Sequence, residues 1–256
     1  MVDLHCHILP GLDDGAKTIE DALAMAEDAI QDGITHVVAT PHASTAHKFD
    51  YARVRAAREE LQERLGERLS LATGCDFHLD PENLARLRKD SAPFCINQKD
   101  YLLVEFNEFS IPPAMDQTLH ELQLMGLRPI VTHPERNGIL RAQPERLLDW
   151  VRHGCFVQIT GGSLTGVFGP GAMEDAWAWI EQGLVHFVSS DAHNTTRRPM
   201  KLRFAFEAIA REQGELPAQA LLVDNPRAAL AGEPLPYIPE PPPTPERRKK
   251  KRFFFF

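Results

Sequence analysis

The sequence predicts an α/β chain folded as a distorted seven-stranded β/α barrel, with its polar face at the C-terminal ends of the strands. Three observations predict it. Seven short stretches rich in β-favouring apolar residues recur along the chain, and helix-like segments lie between most of them; this is the alternation of parallel β-α units. Six of the helix-like segments stop at a glycine, as helices commonly do. The apolar runs also finish in His, Asp, Glu or Thr, which suits a barrel with its chemistry at one rim better than an open sheet.

Taken in order, the first strand is "MVDLHCHI". It is followed by the turn "LPGLDDGAK" and a helix "TIEDALAMAEDAIQDG". Thr18 is the expected N-cap, three residues before Asp21, and Gly33 is the stop. "THVVATPH" precedes the helix "DYARVRAAREELQERLG", and "LSLATGCDFHL" precedes an irregular linker, so that unit is expected to be distorted. "YLLVEF", "RPIVTHP", "CFVQIT" and "VHFVSSDAH" supply the remaining strands. Their helices are "MDQTLHELQLMG", "PERLLDWVRHG", "AMEDAWAWIEQG" and "PMKLRFAFEAIAREQG".

Residues 1–232 are expected to form this domain, and 233–256 a separate Pro-rich, basic, disordered tail. The proline run of "EPLPYIPEPPPTPERRKKKRFFFF" favours extended chain. Its basic cluster and four phenylalanines could make weak contact with an anionic membrane surface.

Composition narrows the function classes. The 256 residues are 43% hydrophobic and 25% charged, as in an ordinary globular protein. The net charge is −8, and residues 239–256 hold six Lys/Arg against two Glu, leaving −12 for the rest. That charge argues against nucleic acid as a partner. No apolar run reaches a membrane span and no signal peptide is expected, so the expected location is cytoplasmic. The four cysteines, Cys6, Cys75, Cys95 and Cys155, are scattered without a C-x-x-C pair, and reduced thiols are expected.

The strand ends carry the chemistry. In "DLHCH", His5 and His7 are two apart, so both fall on one strand face. "ATPH" ends at His42, "GCDFH" offers Asp76 and His78, "LLVEF" Glu105, "IVTHPER" His133, and "FVSSDAH" Asp191 and His193. Six of the eleven histidines therefore sit at strand ends beside carboxylates. One such histidine is more often a satisfied structural group, but repetition on successive strands points to metal ligation. His36, His47, His120, His153 and His186 read as structural or surface residues.

Mixed imidazole and carboxylate donors suit manganese, iron or zinc rather than an oxygen-only cage. Nine positions exceed the need of one ion, so two or three divalent ions are expected, an arrangement suited to phosphate-ester hydrolysis. Arg136 and Arg198 are placed to fork a phosphate. Arg197 competes with Arg198, and a solvated arginine is the bland alternative for each.

Together, "DLHCH", "DDGAKT", "ATPH", "THPER" and "SSDAHN" resemble the polymerase and histidinol phosphatase (PHP) superfamily. "HCHILPGLDDGAKTIEDALAMA", with "THPERN" and "SDAHN", is more closely similar to the manganese-dependent tyrosine-protein phosphatases of bacterial capsule and exopolysaccharide operons. The likeness runs from residue 2 to about 232 and includes "QITGGSLTGVFG" and "DNPRAAL".

The resemblance implies three ions, manganese first. His5, His7, Asp76 and Asp191 would hold one, and Asp76, Glu105 and His133 a second. Asp14, His42 and His193 would hold the third, with Arg136 and Arg198 on phosphate. Asp13 is left a turn or helix-entry role. The implied nucleophile is hydroxide on the metal, not cysteine, and no Cys-x5-Arg loop is present. The family's bridging carboxylate is usually Glu, one methylene longer than Asp76, so Asp76 can bridge only if its backbone approaches by about a bond length. His78 could bind metal or substrate instead.

The implied function is hydrolysis of phosphotyrosine in a protein, in particular a bacterial tyrosine kinase controlling polysaccharide export. The alternatives are a phosphatase for a small ester such as histidinol phosphate, and a non-catalytic metal-binding adaptor.

Overall fold

The computed structural model describes residues 1–241. All seven expected stretches form strands, but the second and third are each broken in two. The strands are β1 (Val2–Cys6), β2 (His36–Ala39), β3 (His42–Ala43), β4 (Ser70–Thr73), β5 (Asp76–His78), β6 (Tyr101–Glu105), β7 (Arg128–Thr132), β8 (Phe156–Thr160) and β9 (Phe187–Ser189). The helices are α1 (Ile19–Asp32), α2 (Tyr51–Leu65), α3 (Pro81–Leu87), α4 (Ala114–Leu124), α5 (Gly138–Arg141), α6 (Pro144–Arg152), α7 (Pro170–Glu181), α8 (Arg203–Gln213), α9 (Glu215–Gln219) and α10 (Asn225–Ala231). None is long and apolar enough to cross a membrane among the described residues.

Every strand pair is parallel, in the orders β1-β2-β4 and β3-β5-β6-β7-β8-β9. The breaks have local causes. Pro41, between β2 and β3, has no N–H for the ladder. Gly74, between β4 and β5, lies so close to β2 that a Cβ there would meet Val38 Cγ1 at 3.1 Å and Thr40 Cγ2 at 3.3 Å. The ring closes where the chain beyond β9 meets β1. Asp191 N donates to His5 O at 2.9 Å, and His7 N donates to Ala192 O at 2.9 Å.

A bulge in β1 decides what the barrel encloses. Asp3 pairs with Val37 and Cys6 with Ala39, so β1 carries one extra residue across that interval. Strict alternation would put Leu4 and His5 on opposite faces. With the bulge, Val2 and Leu4 pack with Val38, Leu103, Ile130 and Phe187 as an apolar floor. His5 still reaches Asp76 and Asp191 at the mouth. A larger cluster between strands and helices forms the outer core.

The caps follow the sequence. Thr18 Oγ1 accepts from Asp21 N and Asp21 Oδ2 accepts from Thr18 N, a reciprocal box, and Gly33 ends α1 at φ 85°. The last long helix begins later than expected. Leu202 N and Arg203 N both donate to Asp32 Oδ2, at 2.5 and 2.7 Å, so Pro199–Lys201 stays in the preceding loop. The irregular linker holds α3 and two 3₁₀ turns, with Asn97 and Gln98 at positive φ.

The chain after residue 232 keeps touching the barrel. Leu235 is buried, Glu233 O accepts from Tyr101 Oη at 2.8 Å, and Tyr237 N donates to Asn225 Oδ1 at 3.1 Å. Contacts with the body therefore do not stop at the boundary expected at 233, because an apolar side chain and paired backbone groups hold the start of this segment. The basic cluster and phenylalanines lie outside the described residues.

Candidate metal centre

The C-terminal strand ends and the loops that follow them bring together all nine residues carried over from the resemblance. Overlapping groups have donor atoms within 4.8 Å of one another: His7, Asp14, His42 and His193; His5, His7 and Asp76; His5, His133 and Asp191; Asp76, Glu105 and His133. A further group joins His42 and Glu105 to His78. His5, His7, Asp76 and Asp191 are buried, while Asp14 is exposed, so the cluster runs from barrel interior to solvent.

Two of these residues reach the centre through uncommon backbone. His133 has φ 33° and Asp191 φ 50°, both in the left-handed region that non-glycine residues rarely occupy. His133 N is held by Gln158 O at 2.7 Å and Asp191 N by His5 O at 2.9 Å.

Residues outside the sequence-derived set aim the donors. His7 Nδ1 lies 2.6 Å from Asp13 Oδ2, and His5 Nδ1 lies 3.0 Å from Gln158 Oε1. Each Nδ1 donates to its oxygen, leaving both Nε2 lone pairs facing the cluster. Asp13 also accepts from Gly15 N and His42 N. The turn role expected of it is present, and the orientation of His7 is added to it. Burial opposes its charge, but the hydrogen bond and charge of His7, the Gly15 N–H and the charge of His42 together outweigh that and bring its carboxyl down to about 2.

Asp3, buried in β1, accepts from Ser190 N at 2.9 Å and from Ser190 Oγ, fixing the loop that carries Asp191. Glu135 accepts from Thr160 N at 2.9 Å and Ser163 Oγ at 2.7 Å, tying the turn between His133 and Arg136 to the end of β8. The signal for Asp3, Glu135 and Gln158 was a polar residue inside or beside an apolar strand run.

The donors fit divalent ions. The two Nε2 atoms of His5 and His7 stand 3.4 Å apart. Neither carboxylate oxygen of buried Asp76 receives a well-formed hydrogen bond, although His42 Nδ1 and His5 Nε2 are 3.2 and 3.5 Å from Oδ2. Such groups are costly to bury in this state, and a cation between them would satisfy them. Asp76 belongs to two of the groups, one with His5 and His7 and one with Glu105 and His133. His78 and Glu105 are register partners on β5 and β6, and His78 Nε2 pairs with Glu105 Oε2.

Arg136 Nη1 and Arg198 Nη2 converge on a single atom, Asp191 Oδ2. Arg197 does not join them and is exposed. Desolvation works against the Asp191 carboxylate, but His5, His7 and Arg136 hold it well below the usual carboxylate range. The cysteines are no rivals as nucleophiles. All four are unpaired and buried, and burial pushes Cys95 and Cys155 up to about 12.

A parallel β/α barrel with clustered imidazole and carboxylate donors at its mouth defines the class of metal-site barrels. Within that class the sequence is specific. The family model for capsular polysaccharide synthesis, CpsB/CapC, matches residues 1–231, and the chain belongs to this family.

The tyrosine-protein phosphatase YwqE of Bacillus subtilis (strain 168) is 36% identical over 238 residues, covering 91% of this chain and 92% of that protein. A crystal structure from a study of YwqE from Bacillus subtilis and CpsB from Streptococcus pneumoniae, described there as unique metal-dependent tyrosine phosphatases, superposes with a TM-score of 0.87 at 35% identity. It covers 95% of this chain and 100% of that one. The histidinol phosphate phosphatase of Lactococcus lactis, solved with zinc, L-histidinol and phosphate, shares the fold at a TM-score of 0.55 and 14% identity, over 82% of this chain and 92% of that one.

Proposed function

We propose that the chain is a metal-dependent protein-tyrosine phosphatase of capsule or exopolysaccharide synthesis, acting on phosphotyrosine in a partner protein, a bacterial tyrosine kinase of that system. One observation carries the reading: two guanidinium groups meet at the edge of a cluster of buried imidazoles and carboxylates. That pairing suits a phosphate monoester, and the relatives' names supply the aryl phosphate.

His5, His7, Asp14, His42, Asp76, Glu105, His133, Asp191 and His193 would hold two or three ions, with Asp76 shared between two of them. Manganese is the proposed metal, and iron and zinc suit the same donors. Bound there, the ions would make water nucleophilic near neutral pH and offset charge on the phosphoryl oxygens. The chain's own part is positioning. Asp13 and Gln158 fix the His7 and His5 tautomers, while Arg136 and Arg198 take the non-bridging phosphate oxygens as a fork. A cytoplasmic setting accords with four unpaired thiols.

The test pairs elemental analysis with turnover of a phosphotyrosine peptide and of histidinol phosphate, with manganese, iron and zinc each supplied. Metal-dependent turnover of the peptide is expected. Hydrolysis of histidinol phosphate alone would establish a small-ester phosphatase, and bound metal without turnover of either an adaptor.

A further inference from the structure

We infer that the apolar hollow beside Arg198, walled by Phe168, Val167, Pro199 and Phe204, is the seat for the phenyl ring of a phosphotyrosyl side chain. The inference rests on the phosphatase reading above and names what would make that site choose an aryl ester.

The hollow encloses about 150 Å³ and its exposed wall is mostly apolar. That is smaller than the several hundred Å³ of a pocket for a whole ligand, and it suits one side-chain ring. Its position is set by the arginines. The guanidinium carbon of Arg136 lies 4.3 Å from the centre of the Phe168 ring, and that of Arg198 6.0 Å. In phosphotyrosine a single oxygen joins phosphorus to the ring, so a phosphate gripped by these arginines holds its ring beside them. Phe168 is the aromatic surface within reach there, and aromatic pairs in edge or offset contact add to the gain from burial.

The segment that presents Phe168 is built for exposure. Phe168 lies between Gly166 at φ 80° and Gly169 at φ 92°, closed by Val167 N to Gly162 O and Gly169 N to Gly166 O, both 3.0 Å. Val167 is left 58% exposed.

Charge selects the occupant further. Arg197 and Lys201 line the hollow with exposed side chains, and neither pairs with a carboxylate among the described residues. On a chain whose residues 1–238 carry −12, this basic rim suits acidic residues flanking the phosphotyrosine.

The test compares an aryl ester with a ringless phosphate on the metal-loaded protein. Phe168→Ala is expected to lower kcat/KM for an acidic phosphotyrosine peptide about 10- to 100-fold. Inhibition by inorganic phosphate should stay within about threefold, with bound metal unchanged. Phe168→Leu, which keeps apolar volume, should fall between and serves if the alanine variant does not fold. Lys201→Glu should raise KM for the peptide with little change in kcat. Equal weakening toward peptide and inorganic phosphate would show that Phe168 only props Arg136, and unchanged peptide turnover would show that the ring binds elsewhere; either overturns the inference. Wild-type protein loaded with metal and inactive on every phosphate ester would overturn the phosphatase reading instead.

Discussion

His7 Nδ1 sits 2.6 Å from the Asp13 carboxylate, and this contact decides which nitrogen of the ring faces the donor cluster. A carboxylate behind a ligating imidazole fixes its tautomer and raises its basicity.

Asp13→Asn keeps the side-chain shape and removes the charge. The expected outcome is metal affinity weaker by about 10- to 100-fold with the fold intact. Competition titration against a chelator measures it, and unchanged affinity would reduce Asp13 to its turn role.

Ligands and phosphate fork should separate under mutation. His133→Ala is expected to lose bound metal and turnover together, whereas Arg136→Ala should keep its metal and lose on the order of a few kcal/mol of phosphate binding. Metal analysis beside phosphate inhibition checks this. Equal metal loss in both variants would place Arg136 among the groups that hold the centre together.

His78, opposite Glu105 on the neighbouring strand, is the residue to test for a tenth donor. His78→Ala should weaken the most loosely held ion by about tenfold or more while the others stay bound. Stepwise manganese titration followed by electron paramagnetic resonance resolves the steps. An unchanged isotherm would leave His78 as the partner of Glu105 alone.

His186 supplies a pH dependence remote from the centre. It is buried, its Nδ1 accepts from Val157 N at 3.2 Å, and burial lowers its pKa from 6.5 to about 4. Above pH 6.5 it is neutral in both folded and unfolded chains, and its contribution is complete. Between pH 6.5 and 4 only the unfolded chain takes up the proton, so stability falls as pH falls, by on the order of a few kcal/mol in total. Urea unfolding of wild type and His186→Gln across this range should show a shallower decline in the variant, and parallel curves would contradict the assignment.

The sequence showed the barrel well because its signals are local. The Thr18–Asp21 box and the run of helices closed by glycine need only neighbours along the chain, and so does the pairing of His5 with His7. What it hid is set by distance. The bulge in β1 depends on how β1 meets β2, and nothing within "VDLHC" announces it. Gln158 and Glu135 looked like stray polar residues because their partners, His5, Thr160 and Ser163, are fixed only by the folded ring. The late start of α8 has the same origin, since the carboxylate that caps it belongs to Asp32. The reach of Asp76 is also set by the folded ring. Asp76 on β5 pairs with His42 of β3 and Leu103 of β6, and it is a member of two donor groups despite its shorter side chain.

The closure between β1 and the chain after β9 has a consequence for how the protein is made. His5 leaves the ribosome well before Asp191, yet the backbone of one hydrogen-bonds the backbone of the other. A nascent chain that has emerged only as far as β8 holds imidazoles and carboxylates but lacks Asp191, His193 and Arg198. Translation order thus delays assembly of the full cluster until the ring can shut, and a chain truncated before Asp191 would have donors without a finished centre.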